Sequence, residues 1–376
     1  MAETYDSSKK NVIIVGGGIA GFNAAKQLSA KLSSQYNIVL ITQEPYFVYK
    51  IALIRLTVAD VDDLLNKVFI PYDKLPGIVH KVGTVTSIEE SGSGQGGNVI
   101  LEGGEHLPYA ALILATGSLW SGSSAIGITD KEIRQNVQDW RSKFGSAKHV
   151  VVVGGGAVGI ETVGEIRDAY PDVKVTLVHS DSQLLSAMYP DKFRRSIEDK
   201  VRSRDIDIVF GDYIDEFPES GQTVDITTRR GQSIKGVDLV VPAFGTRPNT
   251  AFIESLGSGV LTETGTVKIK PTFELLHHSG IFAIGDIIEW KEAKQAAKAP
   301  KHATIATTNL ISFLSGQPQT ANYGGQPEMI VIPVGKKYGA GYLDLLWGIH
   351  LGNFLSSLLK GKTLFVSKAR KDLGYQ

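Results

Sequence analysis

The chain has 376 residues, of which 42% are hydrophobic and 21% are charged, and this composition is typical of a globular protein with two or three domains. Lysine plus arginine and aspartate plus glutamate number 39 each, so the charge balance indicates no specific nucleic-acid partner. The chain has no cysteine, which excludes disulfides, iron–sulfur clusters, thiolate zinc sites and cysteine redox relays, and we predict no metal site.

The N-terminal stretch gives no sign of targeting to a membrane or to secretion. Residues 1–10 lack an apolar core, so we expect no signal peptide, and Ala2 argues against N-myristoylation. No run of 18 apolar residues occurs, so we expect no membrane-spanning helix. These observations favour a cytoplasmic protein, and the alternative is a peripheral position on a membrane or lipid-droplet surface.

An internal repeat determines the predicted architecture. Residues 10–21 read KNVIIVGGGIAG and residues 148–159 read KHVVVVGGGAVG. Each copy is a β-branched run, three glycines and a helix-forming stretch, and a second strand follows at 37–41 or 173–179. This alternation predicts an α/β fold with parallel, doubly wound sheets in three layers. The repeat therefore indicates two Rossmann-like, nucleotide-binding domains.

Later strands indicate how the two domains share the chain. Apolar strands at 109–118 and 238–249 close the two copies, and IFAIGD at 281–286 is expected to re-enter the first sheet. The second domain would then be an insertion in the first, followed by a small C-terminal α+β region. The predicted boundaries are 1–118 plus 251–320 for the first domain, 119–250 for the second, and 321–376 for the C-terminal region.

The first glycine motif comprises Gly16, Gly18 and Gly21, directly after an apolar strand. The first glycine permits a tight turn, the second lets backbone N–H groups approach a pyrophosphate, and the third lets the helix pack closely. A carboxylate is usual at the end of the following strand, where it binds ribose hydroxyls. Thr42 stands there instead, so either its hydroxyl or the carboxylate of Glu44 is expected to take that role.

The second glycine motif comprises Gly154, Gly156 and Gly159, and Glu161 follows on the first turn of the helix. A carboxylate at this position could bond the nicotinamide or its ribose and orient the reactive ring. The alternative is a favourable interaction with the helix N-terminus. His179 ends the next strand with no acid or arginine adjacent to it, so the sequence does not choose between NADH and NADPH.

Two further strand ends are expected to complete the first nucleotide site. Ala115, Thr116 and Gly117 end one strand, where the glycine would allow close approach of a nucleotide. Gly285 and Asp286 end another, where the aspartate could bond a ribityl chain. Either motif alone is a common turn, but both fit a dinucleotide site when they follow the glycine repeat in this order.

The sequences VGGGIAG, ATGS, VVGGGAVGIE, FGTRPN and AIGD, taken in order, resemble those of the pyridine-nucleotide–flavin oxidoreductases. The chain is most similar to the group of apoptosis-inducing-factor-like proteins that includes ferroptosis suppressor protein. The tail LLKGKTLFVS at 358–367 is the most specific part of this resemblance. The resemblance implies that the first domain holds FAD, that the second binds NADH or NADPH, and that a quinone accepts the electrons.

The resemblance also implies roles for particular residues. Glu161 matches the family's glutamate near the nicotinamide and flavin, while Lys360 and Phe365 match tail residues near the flavin, so these three are the predicted catalytic residues. Arg55 matches a family arginine after the second strand, and Gly245 lies in the FGTRPN motif. Both are assigned to cofactor binding.

The C-terminal region suggests where the electron acceptor meets the protein. Residues 343–359, LDLLWGIHLGNFLSSLL, predict a helix whose apolar face lies in the core or at a dimer interface. With the basic residues that follow, the alternative is a surface that rests on an anionic membrane. His302 is expected in a loop beside the flavin ring, where it is a candidate proton donor, and the alternative is a loop histidine with no role in the chemistry.

The acceptor and the biological role stay open at the level of sequence. Without cysteine, the acceptor must be external: a quinone, an artificial dye, oxygen, or a partner iron–sulfur protein. An alternative function is that of an NAD(P)H-sensing flavoprotein that signals through redox-controlled assembly. The sequence is compatible with a monomer or a homodimer.

Overall fold

A computed structural model describes residues 5–218, 221–244, 246–345 and 348–376. The strands lie, in chain order, at β1 (Lys10–Val15), β2 (Tyr36–Thr42), β3 (Tyr46–Val48), β4 (Phe69–Pro71), β5 (Ile78–Val82), β6 (Val85–Glu90), β7 (Gly97–Leu101), β8 (His106–Tyr109), β9 (Ala111–Leu114), β10 (Ser118–Leu119), β11 (His149–Val153), β12 (Lys174–His179), β13 (Ile206–Phe210), β14 (Val224–Thr227), β15 (Ser233–Val237), β16 (Leu239–Pro242), β17 (Arg247–Pro248), β18 (Ile281–Ala283), β19 (Met329–Val334), β20 (Tyr338–Leu343) and β21 (Ile349–Leu351). The helices are α1 (Ile19–Leu32), α2 (Leu53–Val58), α3 (Leu64–Lys67), α4 (Asp130–Ser146), α5 (Ala157–Ala169), α6 (Asp191–Arg202), α7 (Ala299–Leu314), α8 (Asn353–Ser356) and α9 (Val366–Asp372).

The first sheet consists of five parallel strands in the order β18-β9-β1-β2-β5. Strand β1 is central, and Val12 lies opposite Ala111 on one side and Ile38 on the other. Parallel sheets are generally covered on both faces. In agreement with this, β1, β2 and β9 of this sheet are buried apolar runs. Strand β18 pairs with β9 after the chain has passed through the second sheet, as the sequence predicts.

The second sheet consists of four parallel strands in the order β13-β12-β11-β16. Successive side chains of a strand point to opposite faces. Val150 and Val152 therefore pack among residues of α5 and α6, whereas Val151 and Val153 pack against the hairpin formed by β14 and β15. The fold class predicted from the glycine repeat is confirmed.

The C-terminal region contacts both larger units. Strands β19, β20 and β21 form an antiparallel sheet that packs on α5 and α6, and Ile332 and Val334 share a core with Val163. Further along the chain, Ala369 of α9 and Leu373, which directly follows α9, lie in the core of the first unit. The C-terminal region thus spans the two units, and its exact boundary remains a prediction.

The helix predicted over 343–359 is wrong. The chain continues as β21, paired with β20, and only then turns into α8 and a π-helical turn at Ser357–Gly361. Gly348 has a φ of +89°, a left-handed conformation that ends any regular helix at this point. Phe354, one of the apolar residues of this stretch, is 77% exposed, and Leu346 and Trp347 of the same stretch lie outside the described residues.

Candidate functional site

The first glycine turn lies between β1 and α1, at the carboxyl end of the first sheet. Gly16 has a φ of +101°, and a Cβ there would overlap the Ala115 carbonyl oxygen. A Cβ at Gly21 would overlap the Gly16 carbonyl oxygen, so turn and helix meet backbone to backbone. Gly18 faces open space, with nothing within 4 Å of its Cβ position. A phosphate fits this space because free N–H groups and the helix dipole favour an anion.

The second glycine turn, between β11 and α5, repeats this geometry. Gly154 has a φ of +120°, and its Cβ would lie 2.6 Å from the Ala243 carbonyl oxygen. A Cβ at Gly159 would overlap the Gly154 carbonyl oxygen, and Gly156 again faces open space. The two turns therefore fit two dinucleotides, each with its pyrophosphate at the N-terminus of a helix.

The strand end after β9 lies beside the first glycine turn. The backbone N–H of Ala115 donates to the carbonyl of Val15, the last residue of β1. The Thr116 hydroxyl donates to the Asn249 carbonyl at 2.5 Å, which ties this turn to the chain returning from the second unit. Gly117 has a φ of +67° with nothing within 4 Å of its Cβ position, so a ligand can approach its backbone.

The strand end after β18 lies beside the same turn. Gly285 adopts a φ of +80°, and its N–H donates to His302 Nδ1 at 3.3 Å. The Asp286 carboxylate accepts a hydrogen bond from the Ser118 hydroxyl at 2.9 Å. The structure thus brings the glycine turn and both predicted strand ends together at one edge of the first sheet, while their contacts with a cofactor stay predictions.

The residue at the end of β2 is already engaged. The Thr42 hydroxyl donates its proton to the Glu44 carbonyl at 2.6 Å, and it also lies 2.7 Å from His80 Nε2. Burial lowers the pKa of His80, so its neutral ring can donate Nε2–H to the hydroxyl oxygen. Of the two residues predicted to bind ribose, Glu44 retains the freer group, because its carboxylate makes none of these hydrogen bonds.

Glu161 and Lys360 are separated by 199 residues and form a close ion pair. Lys360 Nζ lies 2.6 Å from Glu161 Oε1, and the two side chains are only 17% and 9% exposed, respectively. Helix α5 supplies the carboxylate on the turn that follows the second glycine motif, and the π-helical turn supplies the ammonium. The structure therefore places two of the three predicted catalytic residues at one point.

Arg55 forms a buried ion pair with Glu165, one helical turn after Glu161. Its guanidinium donates two hydrogen bonds of 2.8 Å to the two carboxylate oxygens. It also donates to the carbonyls of Gly361 and Lys362. Within the described structure, the Arg55 side chain thus joins α2, α5 and the C-terminal segment, and its predicted contact with FAD stays a prediction.

The remaining predicted residues have different outcomes. Leu364 and Phe365 both have left-handed backbone conformations, with φ of 49° and 57°. This turn directs Leu364 into the core and leaves Phe365 38% exposed at the start of α9. The catalytic role of Phe365 therefore stays a prediction. Gly245 lies outside the described residues.

The sequence interpretation missed a buried polar cluster at the N-terminus of α7. Lys298 Nζ lies 2.5 Å from Glu328, His302 Nε2 lies 3.0 Å from Glu292, and the Tyr323 hydroxyl donates to Glu292 at 2.7 Å. Burial raises the pKa of Glu292, but these hydrogen bonds and positive charges outweigh burial and hold it below its usual value. His302 lies in α7 and is buried, so the loop predicted for it is wrong.

The chain is similar to known oxidoreductases over most of its length. It matches the family model described as pyridine nucleotide-disulphide oxidoreductase over residues 10–308. It is 42% identical over 321 residues to the FAD-dependent oxidoreductase FVFD30 of Flammulina velutipes, covering 84% of this chain and 98% of that protein. It is 30% identical over 370 residues to ferroptosis suppressor protein 1 of Xenopus tropicalis, covering 96% of each.

Solved structures share the fold at much lower identity. The sulfide:quinone oxidoreductase of Aquifex aeolicus superposes with a TM-score of 0.78 at 16% identity, covering 97% of this chain and 91% of that one. Putidaredoxin reductase, in its covalent complex with putidaredoxin, gives a TM-score of 0.68 at 21% identity, covering 89% and 81%. These likenesses support the two-domain fold described above.

Proposed function

Because the chain belongs to the pyridine nucleotide-disulphide oxidoreductase family and uses FAD and NAD(P)H, we propose that it oxidises the reduced coenzyme and passes the electrons to a quinone. Bound FAD supplies the hydride acceptor and the electron relay, while the protein supplies binding, orientation and electrostatics. The chain has no cysteine, so the disulphide in the family name has no counterpart here. The electrons must therefore leave to an external acceptor.

The observation that carries the proposal is the ion pair between Glu161 and Lys360. Glu161 is held on the helix that starts at the second glycine turn, so its carboxylate can orient the nicotinamide end of the coenzyme. Lys360 comes from the C-terminal segment and fixes that carboxylate through a hydrogen bond. In this arrangement one side chain acts on the coenzyme, and the other couples it to the segment assigned to the acceptor.

The surface around Lys360 is suited to an apolar acceptor. Its neighbours Leu358 and Leu359 are exposed, as are Phe354 and Leu355 one turn earlier. We propose that this apolar surface rests against a membrane, where a quinone would be drawn, with basic side chains of the tail facing anionic headgroups. In the part of the chain that the structure describes, no helix is long and apolar enough to cross a membrane.

The test measures the reduction of the flavin by NADH in a Glu161→Gln variant. This substitution removes the charge and weakens the orientation of the coenzyme, so anaerobic stopped-flow should show flavin reduction by NADH slowed by about 10²-fold, with FAD retained. Lys368→Met, which breaks an exposed ion pair with Asp372 in the same segment, is the matched control and should leave the rate unchanged.

The quinone step is tested by steady-state NADH oxidation with and without a short-chain quinone. We expect strong stimulation of the wild-type protein by the quinone. If there is none, and the reduced flavin complex is long-lived, the proposal is wrong and a nucleotide-sensing role is favoured. An unchanged rate of flavin reduction in Glu161→Gln would remove the role given to the ion pair.

A further inference from the structure

The carboxyl ends of β2 and β12 correspond in the two glycine units, and the structure shows which residues are equivalent. A Cβ added at Gly17 would lie 2.5 Å from Thr42 Cγ2, and one added at Gly155 would lie 2.6 Å from His179 Cγ. Thr42 and His179 are therefore equivalent, since each is the last residue of its strand and lies over the middle glycine of its turn. In both units a carboxylate stands two residues later, as Glu44 and as Asp181.

His179 has one ring nitrogen engaged and one without a partner. Nδ1 accepts a hydrogen bond from the Gly155 N–H at 3.1 Å, so the proton of the neutral ring is on Nε2. Nε2 is buried and makes no hydrogen bond in the described structure, and Asp181 Oδ2 lies 3.9 Å from it, beyond hydrogen-bond distance. Burial lowers the pKa of His179 more than Asp181 and the Gln183 backbone raise it, so the ring is neutral at neutral pH.

Asp181 is free to meet a ligand. Its side chain is 70% exposed, and its carbonyl accepts a hydrogen bond from the Gly211 N–H, which holds the backbone in place. Arg194 lies close by, but its guanidinium donates to the carbonyls of Gln183, Leu184 and Leu185 and is buried. That arginine is therefore unavailable to neutralise a phosphate at this edge.

We propose that Asp181, together with His179 Nε2–H, forms hydrogen bonds with the hydroxyls of the adenosine ribose and makes this chain prefer NADH over NADPH. A carboxylate accepts hydrogen bonds from the 2′- and 3′-hydroxyls, and it repels the dianion that NADPH carries at the 2′ position. The Nε2–H donor gains the acceptor that it otherwise lacks. The inference rests on the proposed function and assigns NADH as the coenzyme that binds at the second glycine turn.

The test measures binding at the adenosine end alone, with ligands that cannot react with flavin. ADP-ribose and 2′-phospho-ADP-ribose are titrated calorimetrically into the FAD-loaded protein. We expect ADP-ribose to bind at least about tenfold more tightly, because in the phosphorylated ligand the hydrogen bond from the 2′-hydroxyl to the Asp181 carboxylate is replaced by repulsion between two negative charges. Asp181→Asn should reduce this ratio by about tenfold, mainly through tighter binding of the phosphorylated ligand.

Control variants separate the inference from a general effect of charge. Asp207→Asn removes the same charge from an exposed position on β13 and should leave the ratio unchanged. Arg230, whose guanidinium lies 3.1 Å from a Cβ position at Gly211, is the competing candidate for binding a phosphate. Arg230→Gln should leave the ratio unchanged, whereas a tenfold loss of the phosphorylated ligand alone would overturn the proposal.

His179→Asn tests the imidazole, since its amide oxygen can still accept from Gly155 while the Nε2–H is lost. We expect ADP-ribose binding to weaken about tenfold. If the wild-type protein bound ADP-ribose and 2′-phospho-ADP-ribose with equal affinity, and Asp181→Asn did the same, the inference would be overturned while the proposed function stayed intact. If neither ligand bound and NADH failed to reduce the flavin, the proposed function itself would fall.

Discussion

The two glycine units share one backbone design but differ in what covers the turn. In the first, the Tyr72 hydroxyl donates to the Gly17 carbonyl at 2.8 Å, and the same hydroxyl oxygen would overlap any Cβ at that glycine. In the second, the corresponding cover is the apolar Leu184 together with His179. Backbone contacts at the first and third glycines correspond in the two units. The difference lies at the middle glycine, whose carbonyl accepts a hydrogen bond from the Tyr72 side chain in the first unit and from the Leu185 backbone N–H in the second.

The helices that follow the two turns also differ in their side chains. Helix α1 packs against α7 through a buried face of alanine, phenylalanine and leucine, without acidic residues. Helix α5 carries Glu161, Glu165 and Asp168 on the side facing the C-terminal region, and each pairs with a cationic side chain. We infer that glycine geometry selects a dinucleotide, while the surrounding side chains decide whether it is retained or exchanged.

The largest expected effects come from adding a side chain to each glycine turn separately. Gly18→Val and Gly156→Val place side chains in open space, so the fold should survive in both while the pyrophosphate is excluded. Gly18→Val should lose FAD, by at least about 10²-fold in affinity, and become colourless. Gly156→Val should stay yellow but resist reduction by NADH. Absorbance of the purified proteins and anaerobic titration measure both outcomes.

The matched control is Gly324→Val, in a loop where a Cβ also meets nothing within 4 Å and φ is not left-handed. It should retain both FAD and reduction by NADH. If Gly18→Val kept stoichiometric FAD, the first glycine turn would have been assigned to the wrong ligand. Loss of FAD from Gly156→Val would show that the two glycine turns do not bind their ligands independently.

The second prediction concerns the ion pair that α5 has and α1 lacks. Glu165→Gln leaves the Arg55 guanidinium buried without its counter-charge, and we expect a loss of about 3–5 kcal/mol in the free energy of unfolding, measured by urea denaturation. Arg134→Met, which removes half of an exposed pair with Asp130, should cost only about 0–1 kcal/mol.

A double variant checks the cause. Arg55→Met combined with Glu165→Met removes both charges and keeps apolar volume, so it should be less destabilised than Glu165→Gln alone. Equal or additive losses would mean that the buried charge is not what destabilises the single variant.

The features that the sequence predicts correctly are those encoded locally. The turns at Gly16 and Gly154, the flanking strands and helices, and the re-entry at 281–286 each follow from residues that are close together in the chain. The prediction of a helix over 343–359 is wrong because it relied on the apolar periodicity and took no account of Gly348. The left-handed conformation of Gly348 permits a turn, after which β21 pairs with β20. A short apolar stretch interrupted by glycine is compatible with either structure.

The parts of the site that the sequence could not reveal are pairings between distant segments. The sequence and the resemblance identify Arg55 and Glu161, but no spacing shows that Arg55 pairs with Glu165, which is 110 residues away. Likewise, Lys298 and Glu328 are 30 residues apart and meet only in the folded chain. Tertiary contacts of this kind decide which acids and bases are buried together.

The smallest predicted effect is at Tyr72, the side chain that distinguishes the cover of the first turn. Tyr72→Phe removes one buried hydrogen bond to Gly17, and the free energy of unfolding should fall by about 0.5–1.5 kcal/mol. Tyr338→Phe, at a residue that is 39% exposed, is the control and should change stability by less than about 0.5 kcal/mol.

The pH dependence of Tyr72→Phe identifies the cause. Burial raises the pKa of Tyr72 well above the ordinary value of 10.0, so the folded protein keeps this hydroxyl protonated where the unfolded chain would ionise it. Unfolding then releases a proton above pH 10, and the wild-type protein loses stability there as pH rises. Tyr72→Phe lacks this contribution, so its deficit relative to wild type should be constant below pH 9 and should shrink above pH 10. A deficit independent of pH across that range would mean that the hydroxyl is exposed to water, and Tyr72 would then not cover the first turn.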